Sequence, residues 1–159
     1  MRAEDVSPLR DLRLRALADA PAAFAATVDD EGARSEAEWA ELAAESESAE
    51  TAIVFVAAED EQWLGMAAGR WFDRERGIVA LWGMWVAPEC RGAGIGARLV
   101  IAVREWAASV GARFVRLGVI EGEADAGAFY ERLGFVRTGE TRSLTRDPSV
   151  GAYFLARPV

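Results

Sequence analysis

The chain has 159 residues, of which 52% are hydrophobic, and a formal net charge of −8 at pH 7. This length and composition predict a single domain, residues 1–159, with one core. The chain contains no histidine, and all 18 basic residues are arginine, which excludes His-based zinc sites, Ser-His-Asp triads and lysine-dependent phosphate loops. The acidic balance argues against nucleic acid as a partner, because phosphate backbones need a basic face.

Nothing in the sequence predicts a membrane span or a secretory signal. The single cysteine, Cys90, cannot form an internal disulfide, and we interpret it as an incidental loop thiol. We therefore expect a cytoplasmic protein that has no membrane partner and no bound metal.

The first fifty residues carry two helical patterns. Leucines spaced among arginines predict an amphipathic helix over Pro8–Ala18. Ser35 and Glu38 have the spacing of a capping box and predict a second helix that runs to about Ser48. The stretch between these helices, Ala22–Gly32, is predicted to be a loop or irregular turn.

From residue 51 onward the pattern changes to strands. Three apolar runs predict an antiparallel meander, and a strand–loop–helix–strand run then predicts one right-handed βαβ unit with parallel strands. The predicted strands are Ile53–Ala58, Trp63–Phe72, Ile78–Ala87, Phe114–Ile120, Phe135–Thr138 and Val150–Ala156. The later helices are predicted over Gly94–Ser109, with a C-cap at Gly111, and over Asp125–Leu133, ended by Gly134.

A glycine-rich loop led by an arginine joins the third predicted strand to the next helix. Glycine lets the backbone approach a ligand closely, and the free N–H groups and dipole of a helix start attract phosphate oxygens. The loop therefore predicts a site for a phosphate-bearing ligand. Its residues are Arg91, Gly92, Ala93, Gly94, Ile95, Gly96 and Ala97.

The loop also satisfies the relaxed dinucleotide-binding fingerprint through Gly92, Gly94 and Ala97. Its context differs from that fingerprint, because five residues separate Val86 from the first glycine and a meander is not a doubly wound sheet. The nicotinamide interpretation is therefore disfavoured. A glycine-rich turn without a ligand is the other alternative.

A second motif follows the βαβ unit, about 30 residues after the loop. It comprises Ala126, Phe129, Tyr130, Glu131, Arg132, Leu133, Gly134 and Phe135, and the first motif comprises Val86, Pro88, Arg91, Gly92, Gly94, Ile95 and Gly96. Together they resemble the GNAT superfamily of N-acetyltransferases, and the order of elements extends the resemblance to nearly the whole chain. The resemblance implies an α/β (α+β) fold in which helices flank a mixed, mostly antiparallel central sheet.

The resemblance also implies that acetyl-CoA is the cosubstrate. In the family the arginine-led loop binds its pyrophosphate, and the pantetheine arm pairs with the preceding strand, here Met84, Trp85 and Val86. A backbone N–H of that strand would polarise the thioester carbonyl. Phe129 is assigned to the same site. Glu123 stands where the family commonly has a cofactor-contacting asparagine, and a carboxylate cannot donate a hydrogen bond as an amide does.

Tyr130 occupies the position of the family's general acid, which protonates the departing CoA thiolate. The alternative is that Tyr130 only packs the short helix against the sheet. Glu121, just past a strand end that normally faces the acceptor, is the candidate base, and the alternative is a solvent-facing turn acid. Four aromatic residues either line an acceptor pocket or form core: Phe24, Trp39, Trp82 and Trp85.

The implied reaction transfers the acetyl group to a primary amine of a small molecule or peptide, by direct attack in a ternary complex. The alternative is a non-catalytic acyl-CoA-binding or sensor module on the same fold. The family also implies a possible homodimer. One departure from the family lies at the front, where Met1–Val6 leaves little of the usual first strand: either that strand is short, or the start of this chain falls late.

Overall fold

The computed structural model describes residues 4–145 and 147–159. The described residues form five α-helices, six strands and two short 3₁₀ turns, Pro21–Ala23 and Pro88–Cys90. The helices are α1 (Val6–Asp19), α2 (Val28–Gly32), α3 (Glu36–Ser48), α4 (Ile95–Ser109) and α5 (Ala124–Arg132). The strands are β1 (Ala52–Glu59), β2 (Gln62–Asp73), β3 (Ile78–Val86), β4 (Phe114–Ile120), β5 (Val136–Ser143) and β6 (Gly151–Pro158).

The six strands form one sheet in the order β1-β2-β3-β4-β6-β5. Every neighbouring pair is antiparallel except β3 and β4, which run parallel and are joined through α4. The predicted meander, the βαβ unit and the mixed, mostly antiparallel sheet flanked by helices are therefore confirmed.

Two local predictions are wrong. The stretch Ala22–Gly32 is not a loop throughout, because α2 forms its second half. The side chain of Thr27 accepts from the backbone N–H of Asp30, and the Asp30 carboxylate accepts from the backbone N–H of Thr27, which completes a capping box. Aspartate in place of the usual Glu or Gln concealed this signal. β5 also extends to Ser143, beyond the predicted end.

No strand precedes α1 among the described residues, since residues 4 and 5 form a turn and Val6 begins the helix. The rest of the predicted short first strand, residues 1–3, lies outside the described residues. The capping box predicted at Ser35 and Glu38 is confirmed, and it begins α3.

Helices cover both faces of the sheet. α4 packs across β1, β2 and β3 on one face, while α1 and α3 pack on the other. Val103 and Trp106 of α4 are buried against the sheet, and Leu17 and Trp39 are buried in the opposite layer. Fully burying an apolar side chain stabilises the fold by roughly 1.5–3 kcal/mol, so both layers contribute substantially to stability.

Gly69 in β2 lies directly beneath α4. A Cβ at this position would lie 2.7 Å from Cζ3 of Trp106 and 3.0 Å from Cγ1 of Val103. An added methyl group therefore forces the helix side chains to shift. We expect Gly69→Ala to lower the free energy of unfolding by about 1–3 kcal/mol, as measured by urea denaturation.

Gly32→Ala is the matched control for this substitution. The nearest atom to a Cβ at Gly32 is Cδ2 of Leu14, at 4.0 Å, and the residue ends α2. Alanine fits there without a clash, so we expect no loss of stability. Equal destabilisation by the two variants would contradict the close approach of α4 to β2.

Candidate functional site

β3 and β4 are neighbours for only part of their length. Their parallel pairing ends where Ala80 lies opposite Arg116, although β3 continues to Val86 and β4 to Ile120. The strands therefore diverge, and the last residues of β3 have no β4 partner for their backbone N–H and C=O groups. We call this opening the split.

A β-bulge interrupts β3 within the split. The register with β2 shifts between Trp82 and Trp85, so β3 carries an extra residue there. Gly83 has a φ of +63°, which glycine adopts without a Cβ clash. The bulge shifts the alternation of side chains, so that Trp82 packs on the α1 and α3 side while Met84 packs on the α4 side.

The glycine-rich loop follows β3 and leads into α4. Gly92 and Gly94 have φ values of +81° and +77°, and a Cβ at either would meet no atom within 4 Å. Backbone conformation, and not packing, therefore requires these glycines. α4 begins at Ile95 without a side-chain cap or an acidic residue in its first turn. The N–H groups of that turn are available to an anion.

Arg91, which leads the loop, is held by the end of α1. Its Nε donates to the carbonyl of Val86 at 3.0 Å, and its Nη2 pairs with the carboxylate of Asp19. The indole N–H of Trp85 donates to the same carboxylate at 2.8 Å, and this bond is the main reason that the pKa of Asp19 lies below its usual value. No sequence pattern indicated Asp19, because local spacing does not link residues 72 positions apart.

Three predicted cofactor residues from different parts of the chain meet beside the split. A Cβ on Gly96, in the first turn of α4, would lie 2.6 Å from Cε of Met84 and 3.3 Å from Cζ of Phe129. β3, α4 and α5 therefore come together at Gly96. The other predicted residues of the loop and helix start are the exposed Ala93 and the half-buried Ile95 and Ala97.

Tyr130 lies in α5 and is 8% exposed. Its ring packs edge-to-face against Phe129 and Phe135, with ring centroids 5.0 Å and 5.8 Å away. Burial raises the pKa of its phenol far above the usual value, so the hydroxyl keeps its proton at neutral pH. This geometry is compatible with a packing role and with a role as proton donor.

The two predicted glutamates lie at the end of β4. Glu121 is exposed, and its Cδ would lie 2.5 Å from a Cβ on Gly151. Gly151 and Tyr153 are two residues apart in β6 and therefore share one face of that strand. The hydroxyl of Tyr153 lies against Gly127 of α5, so Glu121, which lies against Gly151, is on the α5 side of the sheet. Glu123 occupies the N-cap position of α5, and its side chain makes no capping hydrogen bond.

A cleft of about 870 Å³ opens on the opposite face of the sheet. Gly83 of β3 and both Gly118 and Ile120 of β4 belong to its wall, so the cleft reaches both diverging strands. Glu121 is not part of the wall that the described residues form. We call it the arginine cleft, because four arginines and one carboxylate line it: Arg13, Arg34, Arg70, Arg142 and Glu31.

The four aromatic residues considered for an acceptor pocket divide into two pairs. Phe24 and Trp82 line the arginine cleft. Trp39 and Trp85 are 2% and 3% exposed and belong to the core. The sequence could not separate these pairs, because aromatic residues at such spacings serve either purpose.

Acidic, cysteine and histidine side chains do not gather in groups of three or more that could hold a metal ion, as far as the described residues extend. No helix within residues 4–145 and 147–159 combines the length and the apolar character needed to cross a membrane.

The model of the acetyltransferase (GNAT) family matches residues 14–135. Among solved structures, a GNAT-family acetyltransferase from Streptococcus pneumoniae is similar over 100% of this chain and 96% of its own, at 19% identity and a TM-score of 0.84. A phosphinothricin acetyltransferase from Sinorhizobium meliloti in complex with acetyl-CoA is similar over 100% and 85%, at 22% identity and a TM-score of 0.79. At such identities the likeness shows a shared fold. Among curated proteins, none matches the sequence.

A third solved structure of the same fold is yncA from Salmonella typhimurium with its cofactor acetyl-CoA. It is similar over 99% of this chain and 90% of its own, at 19% identity and a TM-score of 0.77. The similarity therefore extends beyond the matched family segment to both ends of the described chain.

The raised pKa of Tyr130 has a spectroscopic consequence. In the folded protein we expect the difference spectrum between wild type and Tyr130→Phe to show no growth of tyrosinate absorbance from about pH 9 to pH 11, because burial disfavours the charged phenolate. The same pair of proteins in denaturant should show tyrosinate appearing near pH 10. Ordinary titration in the folded protein would contradict the buried placement.

Proposed function

The chain belongs to the acetyltransferase (GNAT) family, and from this premise we propose that it transfers the acetyl group of acetyl-CoA to a primary amine by direct attack in a ternary complex. The split between β3 and β4 carries the proposal. Met84, Phe129 and the first turn of α4 at Gly96 approach it from one face, and the arginine cleft approaches it from the other. A donor and an acceptor bound on opposite faces therefore meet at the split.

The donor side fits acetyl-CoA. Gly92 and Gly94 hold left-handed backbone conformations, and the uncapped first turn of α4 offers N–H donors to a pyrophosphate. Arg91 stands at the head of the loop, where its ion pair with Asp19 fixes the position of its guanidinium. The pantetheine arm would pair with the edge of β3 beyond Ala80, where β4 no longer supplies partners.

Acetyl-CoA supplies the activated acyl group, and the residues of the chain supply the remaining chemistry. A backbone N–H of β3 in the split stabilises the carbonyl oxygen as it becomes an oxyanion. Glu121 lies on the α5 side of the sheet, so it accepts a proton from the amine through water at the split, and the Tyr130 hydroxyl protonates the departing sulfur. Burial disfavours the resulting phenolate and makes Tyr130 a weaker acid than an ordinary phenol, so its proton moves to the sulfur only as the C–S bond breaks. The same effect returns a proton to Tyr130 before the next turnover.

The acceptor side favours a small molecule over a protein. The arginine cleft, at about 870 Å³, has the size of a small-molecule site. A peptide amine stays as the second acceptor class. A cofactor contact of Glu123, homodimerisation and a cytoplasmic location are proposals that follow from the family resemblance and the composition.

A non-catalytic acyl-CoA-binding module is the second candidate function. It is favoured by the position of Glu121, which lies on the α5 side of the sheet and outside the wall of the arginine cleft. Turnover distinguishes the two candidates. Tight CoA binding without thiol release for any amine in a broad panel would support the module and contradict the enzyme.

Tyr130→Phe tests the proposed general acid. With acetyl-CoA and an accepted amine, we expect kcat for thiol release to fall by about 10²–10⁴-fold, while the KM for acetyl-CoA stays near the wild-type value, because the hydroxyl acts on the leaving group. Phenylalanine preserves the edge-to-face packing with Phe129 and Phe135, and urea denaturation checks that stability is retained. An unchanged kcat would assign Tyr130 to packing alone.

Glu121→Gln is the companion variant in this experiment. Loss of a base lowers the rate most at pH values where the amine is protonated, so the loss should shrink as pH rises toward the pKa of the amine. A loss that is equal at all pH values would point to a structural role for Glu121.

Gly94→Ala and Gly111→Ala test the phosphate loop as a matched pair. Both glycines flank α4, both have positive φ values (+77° and +82°), and a Cβ at either would meet no atom within 4 Å. Each substitution should therefore cost about 1–2 kcal/mol of stability through backbone strain. Only Gly94→Ala should raise the Kd for acetyl-CoA, by about tenfold or more, as measured by calorimetry. Equal Kd values would remove the loop from the cofactor site.

A further inference from the structure

The arginine cleft carries an excess of positive charge in a chain whose net charge is −8. The carboxylate of Glu31 bonds both Nη2 of Arg13, at 3.1 Å, and Nε of Arg34, at 2.7 Å. Its single negative charge therefore compensates only one of these two positive charges. Arg70 is compensated by Glu45, at 3.3 Å. Arg142 is exposed and has no ion pair within the described residues. About two positive charges therefore face the cleft without a carboxylate partner.

The guanidinium of Arg13 is a built part of this site. Its side chain is 8% exposed, and it stacks near Phe24 and Trp82, with its Cζ 4.9 Å and 5.8 Å from their ring centroids. These contacts and the bond to Glu31 leave the guanidinium little freedom to move. A guanidinium group that is already fixed in place binds an oxyanion at a lower cost in conformational entropy than a mobile side chain does.

Arg13 also has unused hydrogen-bond donors. Its Nε and Nη1 are buried, and neither has a hydrogen-bond partner among the described residues. Nη1 lies 3.6 Å from the position of a Cβ on Gly83, the residue that forms the bulge at the split. Buried donors without partners are rare in folded proteins, and they indicate a missing ligand or water.

Ordered water is the alternative partner. A second cavity of about 30 Å³ is also lined by Arg13 and is large enough to hold water. A water there would satisfy a donor of Arg13, and solvent satisfies the exposed Arg142, so water alone predicts no preference for anionic ligands. An oxyanion in the larger cleft would engage the charges of Arg13 and Arg142 together, after a small movement of the side chains that cover Nε and Nη1 of Arg13.

We propose that the acceptor is a small amine that also carries an oxyanion, such as a carboxylate or a phosphonate, and that Arg13 and Arg142 bind this anion in the arginine cleft. The role of the amine in this proposal rests on the proposed acetyl transfer. The binding of the anion rests on the cleft alone. Gly118 and Ile120 place one wall of the cleft on β4 at the split. An anion held by the arginines therefore leaves the amine end free to extend toward the split.

The test compares amines that differ only in the charge at their far end. One series is γ-aminobutyrate, its carboxamide and putrescine, and a second replaces the carboxylate by the phosphonate of the same length. α-Amino acids and their carboxamides extend the panel. Binding to the full chain is measured by calorimetry, and thiol release from acetyl-CoA is measured in parallel. We expect the anionic member of at least one series to bind about tenfold more tightly than its carboxamide.

Three variants assign that preference to residues. Arg142→Gln should reduce the preference severalfold without a change in folding, because its side chain is exposed. Arg13→Lys retains a positive charge beside Glu31 but lacks the guanidinium fork. It should weaken only the anionic members, whereas a purely structural role of Arg13 would weaken all members equally. Arg76→Gln is the control, since Arg76 pairs with Asp73 and lies outside the cleft, and the preference should persist.

The outcomes separate this inference from the proposed function. A preference for the anionic members in binding without thiol release supports the anion site and contradicts the acetyl transfer. Acetylation of amines without any charge preference supports the transfer and overturns the anion site. Three further results would also overturn the anion site. The first is tighter binding of putrescine than of the anionic members, and the second is a preference for the anionic members that survives in Arg142→Gln and Arg13→Lys. The third is a panel in which no anionic member binds better than its carboxamide. The two series distinguish a carboxylate from a phosphonate.

Discussion

The limited pairing of β3 with β4 is the constraint on which the rest of the structure depends. A parallel pair normally continues as long as both strands do, but here it ends at Ala80 opposite Arg116. β4 stays in the sheet because β6 pairs with it along its whole length, and β3 stays because β2 does. Each strand is therefore anchored on its far side, and the opening between them persists without a loss of sheet hydrogen bonds elsewhere.

The two faces of this opening have different chemistry. On the α4 face the contacts are apolar and glycine-rich, which suits a ligand bound through backbone groups. On the other face charged guanidinium groups line a wide cleft. The bulge at Gly83 separates the two environments, because it lets Trp82 and Met84 point to opposite faces although only one residue lies between them.

α1 connects the two halves of the site. Arg13 bonds Glu31 in α2, Arg15 bonds Glu89 beside the glycine-rich loop, and Asp19 bonds Arg91 at the head of that loop. A shift of this helix would therefore alter the arginine cleft and the loop together. Exposed ion pairs contribute little to stability, so the bonds of Arg15 and Asp19 act chiefly on the position of the loop.

The sequence by itself determined the order of elements, the meander, the βαβ unit and the glycine-rich loop, because each of these depends on local spacing. The local signals are the alternation of apolar residues, capping residues such as Ser35, and glycines such as Gly94 that the backbone conformation requires. It missed α2, whose capping box uses Asp30. Only the tertiary structure decided that the pairing of β3 and β4 stops at Ala80, that Asp19 holds Arg91, and that arginines from distant segments line one cleft. These features depend on contacts between residues far apart in the chain, and no local pattern encodes which distant side chains the packing of α1 on the sheet brings together.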